Sequence, residues 1–597
     1  MFKTARLNKK NNTMTDKINP SKTFVFIIFL FITLLLNSKA FASSYSPCPS
    51  VILTSPHQIK FTENEKILVC GDPKSDSWRE IPPFQARYFA KVFLQQRGYQ
   101  NPVFKEKNDV LFIETGPLSR IKKIEITGQP PRGFKISHGI KTDYGLMTPA
   151  VINTIENKAT TWLTTRGYAC PQLETEAFSA TETLHLKINS GTKKPFLKIE
   201  QQKIPGLRDN ILRRYDAFSM KKPYNSQWLE LTTQRIESNG IVQHTHFTTE
   251  CQDNEVVVKQ QITPGAPRLF TIGFGANTEQ LVIAKSSWRH ARLGQNASSL
   301  QFSLFASYIK QEFETEAHWY FLPYVSRWHL KPTLTVTRRD EKNFEYVSFD
   351  AALLPAVTWD GQYFGISLAF GPNLNFTRTF EGAAQETTHF LSTVFKAELT
   401  SHGYEYHALD PLTGYTLRFL GELNHASLFS DVTAHKFSLT GQALYNVADL
   451  DPPFLTVGFR GGLYLTATDR DASTFGRLPP EFLYYLGGSP NLRGFGRSEI
   501  ANAGQGALTA FFSSIEVRFR NILPLDVQPI FFTDLGMLGS RSASLDKTLY
   551  WSPGLGLRWS SIIGVFRATA AHGFSVGNNN SNQPSHWQLY LSFGEEF

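Results

Sequence analysis

The second half of the chain, from about Pro267 onward, is a long series of short segments in which apolar and polar residues alternate. In residues 300–308 the even-numbered positions are apolar and the odd-numbered ones mostly polar, and residues 587–593 repeat the pattern. Such a period of two suits a strand between lipid and a wet lumen. No apolar run there is long enough for a spanning helix, and in lipid only helices and closed barrels satisfy every backbone group. Residues 267–597 therefore predict a transmembrane antiparallel β-barrel, of about sixteen strands at roughly twenty residues per strand and turn.

A soluble β-sandwich would show a similar alternation. Three features favour the membrane barrel: an export signal, an aromatic content of 13%, and more than 300 residues without a second core pattern.

The export signal occupies residues 1–42. Basic residues precede an apolar run over residues 24–36, and Ala40-Phe41-Ala42 then places small residues before a cut at Ser43. This is the layout of a secretory signal, whereas a transmembrane anchor would need a longer run. Either Met1 or Met14 is the start. The segment contributes +6 of the formal +10 charge, which leaves the mature chain near +4, so no nucleic-acid partner is predicted.

The first half of the mature chain contains a repeat. Gly98, Gly167 and Gly240 follow three helical stretches, where a left-handed turn ends a helix. After each comes an alternating strand that closes on a turn glycine, at Gly116, Gly191 and Gly265. Both sets of glycines recur about every 70 to 75 residues, and the matched context argues against coincidence. We predict three α+β modules, at residues 44–117, 118–193 and 194–266.

All four cysteines lie in these modules, and an exported chain meets an oxidising compartment. Cys48 and Cys70 are the preferred disulfide, whereas the pairing of Cys170 with Cys251 is left open. His244, His246 and Cys251 could be read as metal ligands. Alternate positions on a strand edge explain the two histidines more simply, so no metal and no cofactor are predicted.

One segment of the barrel half, residues 478–500, is rich in Gly and Pro and too long for a tight turn. It contains Arg493-Gly494-Phe495. On two later strands the alternation directs Glu516 and Asp534 into the lumen, where a guanidinium could bind both carboxylates and hold the loop inside. The alternative is that these acids are ordinary lumen residues balanced by Arg518 and Arg520.

The three modules with a barrel, the Arg493-Gly494-Phe495 loop, the strand at residues 532–536 and the ending at residues 593–597 together resemble the BamA/TamA family of barrel-assembly proteins. The resemblance implies that the modules are periplasmic POTRA domains, that the barrel lies in the outer membrane, and that Arg493 contacts Glu516 and Asp534. It also implies assistance to autotransporters and other barrels as clients, with a TamB-like protein as partner.

Another function is a two-partner secretion pore that exports a large exoprotein. Such pores usually carry two modules behind a plug helix, whereas this sequence shows three modules and no clear plug helix. The sequence contains no nucleophile elbow, no zinc-binding HExxH helix and no phosphate loop, so no enzyme activity is predicted.

The junction between the first and last barrel strands is a second candidate site. The first strand, at residues 269–278, begins with Leu269 and Phe270 and contains Gly273 and Gly275, which weaken a strand. The last strand contains Leu591, Phe593, Gly594 and Phe597, and two acids interrupt its apolar pattern near the end. We predict a weak seam whose opening offers a strand edge to client chains. Alternatively, the glycines relieve crowding in a permanently closed barrel.

Overall fold

The computed structural model describes residues 43–594 except 56, 58, 77–78, 140, 142, 197, 253–254, 323–326, 408–409, 469–476, 502–503, 562–563 and 578–585. The predicted signal at residues 1–42 lies outside the described residues. The chain forms two compact units: residues up to 124 with 144–153 and 177–184, and the remainder. No helix among the described residues is long and apolar enough to cross a membrane.

The first unit contains a four-stranded sheet in the order β1-β2-β4-β3. Its helix α1 begins at a capping box in which Thr62 and Glu65 satisfy each other's backbone amides. Helix α2 begins with a proline and buries Ala86, Ala90 and Leu94, four residues apart, on one face. A disulfide joins Cys48 to Cys70. The elements are β1 (Ser43–Cys48), β2 (Val51–Ser55), α1 (Glu63–Cys70), α2 (Pro83–Gln96), β3 (Val103–Lys107) and β4 (Val110–Glu114).

Two three-stranded sheets follow along the chain, in the orders β5-β7-β6 and β8-β10-β9. Gly98, Gly167 and Gly240 all have positive φ where α2, α3 and α4 end, as predicted. A second disulfide joins Cys170 to Cys251, the pair that the sequence left open. The elements are β5 (Lys123–Gln129), α3 (Pro149–Thr164), β6 (Gln172–Phe178), β7 (Thr183–Asn189), β8 (Lys198–Gln201), α4 (Ser226–Ser238), β9 (His244–Gln252) and β10 (Glu255–Thr263).

The rest of the chain is a closed antiparallel barrel of sixteen strands, because β25 and β26 are one strand interrupted at Gly573. The predicted fold class is confirmed. The strands are β11 (Arg268–Asn277), β12 (Leu281–Leu293), β13 (Ser298–Ala306), β14 (Lys310–His318), β15 (Trp328–Glu341), β16 (Phe344–Asp360), β17 (Phe364–Glu381), β18 (Thr387–Ser401), β19 (Gly414–Asn424), β20 (Ala434–Asn446), β21 (Leu455–Thr468), β22 (Thr509–Phe519), β23 (Val527–Gly539), β24 (Leu549–Ser561), β25 (Gly564–His572), β26 (Phe574–Val576) and β27 (Trp587–Phe593).

A short helix, α5 (His402–Tyr406), connects β18 to β19 at the end of the barrel where the third module lies. We call this end the arm end. The strands on the wall opposite the junction of β11 and β27 are long, with 18 residues in β17, whereas β27 has 7.

Candidate functional site

The described part of the connection between β21 and β22, residues 477–501 and 504–508, folds back against the inner wall of the barrel. We call it the inserted loop. Isolated bridges pair Tyr484 with Ala507 and Leu486 with Ile500, which gives it the form of an irregular hairpin. Its buried apolar side chains pack against residues of β22 and β23; the cluster comprises Leu486, Leu492, Phe495, Ile500, Ala507, Ala510, Phe512 and Leu538.

Arg493 is buried at the tip of this loop, and all three nitrogen atoms of its guanidinium donate hydrogen bonds. Nε and Nη2 donate to the two carboxylate oxygens of Asp534, at 2.9 and 2.7 Å, and Nη1 donates to Glu516 at 2.7 Å. Nη2 also reaches Ser514 Oγ at 3.0 Å, and the backbone amide of Arg493 donates to Asp534 at 3.0 Å. The guanidinium carbon lies 3.4 Å from the centre of the Phe532 ring. The fork geometry of arginine suits this bidentate arrangement.

Glu516 is shared among several cations. Arg518 Nε donates to Glu516 Oε1 at 2.9 Å, and Arg567 on β25 donates to Oε2, the oxygen that Arg493 also binds. Arg520 does not take part, because it forms a bidentate pair with Asp410 at the arm end of the barrel. Of the two arginines in the alternative interpretation, Arg518 does bind Glu516, but Arg520 does not. Arg520 follows the last residue of β22 and lies at the arm end, so the part of the alternative that concerns Arg520 is wrong.

The glycine after Arg493 allows the loop to touch the wall. A Cβ atom at Gly494 would lie 2.5 Å from both the amide nitrogen of Gly573 and Ser552 Oγ. A Cβ at Gly573 would in turn lie 2.4 Å from the Gly494 carbonyl oxygen. The two backbones therefore approach so closely that neither position accepts a side chain. This approach coincides with the interruption between β25 and β26.

The inserted loop also reaches both strands that close the barrel. Tyr590 on β27 donates its hydroxyl to the Phe495 carbonyl at 2.6 Å. On the other side, Glu279 in the turn after β11 accepts from the amide and hydroxyl of Ser489, at 3.2 and 2.5 Å. Arg497 lies 3.8 Å from the same carboxylate. The loop thus bridges the first hairpin and the last strand from inside the lumen.

The seam is the junction between β11 and β27, and its ladder is short. β11 pairs with β12 over ten residue pairs, whereas its pairs with β27 among the described residues are Ala276–Phe593 and Asn277–Ser592. One further backbone bond, from Thr278 N to the Leu591 carbonyl at 3.0 Å, extends it. On its other side β27 pairs with β25 over seven residue pairs. Within the described part of the chain, the barrel is therefore closed by fewer hydrogen bonds here than between neighbouring strands.

The other seam residues named from sequence differ in where they lie. Gly275 and Gly594 lie at the close approach, because a Cβ at either would be 2.9 Å from a carbonyl oxygen of the opposite strand. Gly273 faces open space. Leu269 and Phe270 pair with Arg289 and Trp288 of β12 and have no partner on β27 among the described residues, so they lie on the unpaired part of the β11 edge. Phe597 lies outside the described residues.

The third module is held to the arm end by a buried ion-pair cluster. Arg235 on α4 forms a bidentate pair with Glu405 on α5, at 2.7 and 2.6 Å, and its Nη1 lies 3.0 Å from Asp360. Arg327 binds the same aspartate and donates to the Asp216 carbonyl at 3.2 Å. This cluster fixes the last module before the barrel.

Asp216 in this junction provides a pH-dependent prediction. Burial raises the pKa of its carboxyl to about 7, against the opposing attraction of Arg213 and Arg327. Between about pH 4 and pH 7 the folded protein then holds a proton that the unfolded chain has released, so this group makes stability fall as pH rises through that window. Asp216→Asn should abolish that contribution. Between about pH 4 and pH 7, the unfolding free energy of the variant should therefore rise relative to that of wild type, by at most about 1.4 kcal/mol per pH unit. The melting temperatures of the two proteins, measured across this window, check the difference. A wild type–variant difference that does not change with pH would contradict this assignment.

Sequence reasoning missed Arg567, Tyr590, Gly573 and Glu279. The alternation along β25 and β27 places Arg567 and Tyr590 on the lumen face, so a signal for these two was present. Glu279 stands in a hairpin turn, where no periodic pattern exists. Within the described part of the chain, no group of three or more His, Cys, Asp or Glu side chains is arranged to hold a metal ion.

Comparison with known proteins identifies the family of this barrel. The Omp85 superfamily domain matches residues 291–597, about half of the chain. The chain belongs to the Omp85 superfamily. A β-barrel of this superfamily lies in an outer membrane, which locates the barrel. No curated protein matches the chain.

Several solved structures are similar to this Omp85 protein at low identity. BamA from Haemophilus ducreyi lacking POTRA domains 1-3 has a TM-score of 0.48 and 14% identity, covering 79% of this chain and 99% of that one. CdiB from Escherichia coli has a TM-score of 0.45 and 13% identity, with 85% and 96% covered. CdiB from Acinetobacter baumannii has a TM-score of 0.43 and 12% identity, with 98% and 99% covered.

Proposed function

We propose that this protein is an outer-membrane translocation and assembly factor, TamA-like in role, that helps insert or secrete autotransporters and other β-barrel proteins. Membership in the Omp85 superfamily supports a role in outer-membrane insertion or secretion. In this proposal the modules form a periplasmic arm, a TamB-like protein is the partner, and no residue is catalytic.

The short ladder of the seam is the observation that carries the proposal. Between ordinary strands of this barrel, breaking the ladder would leave many backbone groups unpaired in lipid, where each costs several kcal/mol. Among the described residues, two residue pairs and one additional backbone bond close the wall at the seam. Most of the β11 edge has no partner on β27 among the described residues, and opening the seam releases the remaining part of that edge. An exposed edge pairs readily with an incoming strand.

The buried Arg493 cluster holds the inserted loop in place while the seam opens. Arg493 anchors the inserted loop to β22 and β23, neither of which is a strand of the seam, so β11 and β27 can separate while that anchor remains. The contacts of the loop with Tyr590 and Glu279 are single points that must part when the seam opens. The loop therefore acts as an internal brace on the closed barrel.

The arm offers further strand edges, because every sheet in it is open. In the first unit β1 and β3 are edges, and β9 is an edge of the third module's sheet. An open edge can accept an extended segment from a client or from a TamB-like partner, since backbone hydrogen bonds provide the affinity.

Deleting residues 44–193 should leave a folded barrel that no longer assembles clients. The third module and its ion pairs with α5 remain in this variant, so the barrel keeps its support. Folding is checked by heat-modifiable gel mobility, and activity by the rate at which a client barrel becomes protease-resistant in vesicles containing the purified protein. Normal client assembly by the truncated protein would show that the arm is dispensable.

The two candidate functions, barrel assembly and two-partner secretion, can be distinguished by the kind of client that the protein handles. An assembly factor should accelerate membrane insertion of a barrel client, whereas a secretion pore should transport a filamentous exoprotein without inserting barrels. A neighbouring gene for a very large TamB-like protein supports the first function, and a neighbouring gene for such an exoprotein supports the second.

A further inference from the structure

The turn between β22 and β23 carries an unusual set of apolar side chains at the arm end of the barrel. Residues 520–526 read Arg-Asn-Ile-Leu-Pro-Leu-Asp. Ile522 and Leu523 are 43% and 42% exposed, and Leu525 is 78% exposed. A turn that faces only water is normally built from polar residues and glycine, so these three side chains need a separate explanation.

The polar residues of the turn hold it rigidly in place. Arg520 forms its bidentate pair with Asp410, at 2.7 and 2.6 Å, and its amide donates to the Phe454 carbonyl at 2.7 Å. Asn521 donates its side-chain amide to the Pro453 carbonyl at 2.7 Å. The polar groups thus face the lumen and the adjoining turn, and the apolar side chains remain on the outside.

The backbone makes leucine a poor choice at position 525. Leu525 has φ 59°, in the left-handed region that glycine and asparagine adopt at least cost. Glycine there would remove both the strain and the exposed apolar surface. Strain that persists beside an exposed apolar side chain points to a surface that the side chain contacts.

The lipid-facing surface of the barrel continues directly into this turn. Phe519 at the end of β22 and Phe531 on β23 stack edge to face, with ring centres 6.0 Å apart, and Phe531 is 52% exposed on the outer face. The turn joins these two strands just beyond that pair. Lipid already borders both flanking strands, so it is also the surface nearest to the turn.

We propose that residues 522–525 form a membrane anchor that inserts Ile522, Leu523 and Leu525 into the interfacial region of the leaflet at the arm end. The occupant is lipid and not a protein partner, because the patch is small and continuous with the lipid-facing wall. The anchor holds the arm end at a fixed depth, since the same turn is bonded to Asp410 and Pro453 of the two neighbouring connections. This inference requires only that the barrel lies in a bilayer and is independent of seam opening.

A nitroxide spin label at position 525 tests the anchor. All four native cysteines are paired, so the cysteine of Leu525→Cys is the sole free thiol of the full chain. The labelled protein is placed in phosphatidylcholine–phosphatidylglycerol vesicles, and its collision rates with oxygen, which concentrates in lipid, and with a water-soluble nickel chelate are measured. The matched control is Asp449→Cys, in the connection between β20 and β21 at the same end, where the side chain is 86% exposed.

The ratio of oxygen to nickel accessibility should be several-fold higher at position 525 than at position 449. Ile522→Cys should behave like Leu525→Cys, which protects the result against misfolding of one variant. Equal ratios at positions 525 and 449 would show that the turn faces water. An immobilised label that neither reagent reaches would show that protein covers it. Either of these results would overturn the proposal.

Discussion

Arg493→Ala should have the largest effect of any single substitution in the barrel. It removes the cation between two buried carboxylates, those of Asp534 and Glu516, and leaves Asp534 without its bidentate partner. Breaking a buried pair in this way costs about 3–5 kcal/mol. The inserted loop should leave the wall, the heat-modifiable form should melt at lower temperature, and client assembly should be lost.

The control for this substitution is another arginine of the lumen. Arg418 pairs with Glu398 at 3.1 Å, but the two side chains are 64% and 44% exposed. Arg418→Ala should cost no more than about 1 kcal/mol, as solvent-exposed pairs do. Arg493→Lys should fall between the two, because lysine keeps the charge and loses the fork. If Arg493→Ala melts and assembles clients like Arg418→Ala, the loop does not depend on this cluster.

The alternation of side chains along strands accounts for what the sequence predicted at this cluster. A period of two assigns faces, so it placed Glu516 and Asp534 in the lumen, where the structure has them. It does not assign height along the barrel axis. For that reason Arg520 was taken as a possible partner, although it lies at the arm end beside Asp410.

The residue pairing between β11 and β27 could not be predicted from the sequence for a related reason. Which residues of β11 and β27 meet depends on the tilt and stagger of all sixteen strands. The structure places Thr278 beside Leu591, a pairing that alternation alone does not specify. The role of Glu279 could not be predicted from the sequence, because it depends on where the inserted loop packs in the folded barrel.

Locking the seam should abolish client assembly while leaving the barrel stable. Asn277 and Ser592 face each other on the lumen side. They lie between hydrogen-bonded positions, where Cα atoms are about 4.5 Å apart, a distance that a disulfide spans. The double variant Asn277→Cys and Ser592→Cys should therefore crosslink on oxidation. Oxidised protein should lose most of its assembly activity, and mild reduction should restore it.

A second crosslink, between β18 and β19, is the control that distinguishes a general effect of oxidation from the effect of locking the seam. Thr400 on β18 and Thr416 on β19 also face each other, with their hydroxyl oxygens 2.9 Å apart, in a ladder that is continuous. Thr400→Cys with Thr416→Cys should crosslink equally well and leave activity unchanged, since those strands stay paired in any case. Wild type treated with the same reductant controls for the two native disulfides of the arm.

The two crosslinks together decide where strand templating takes place. If the β11–β27 crosslink blocks assembly and the β18–β19 crosslink does not, pairing of the client strand requires β11 and β27 to separate. If the β11–β27 crosslink leaves assembly at full rate, the seam stays closed during function. The open sheet edges of the arm would then have to guide clients from the periplasmic side, and the short ladder would be explained by the close approach at Gly275 and Gly594 alone.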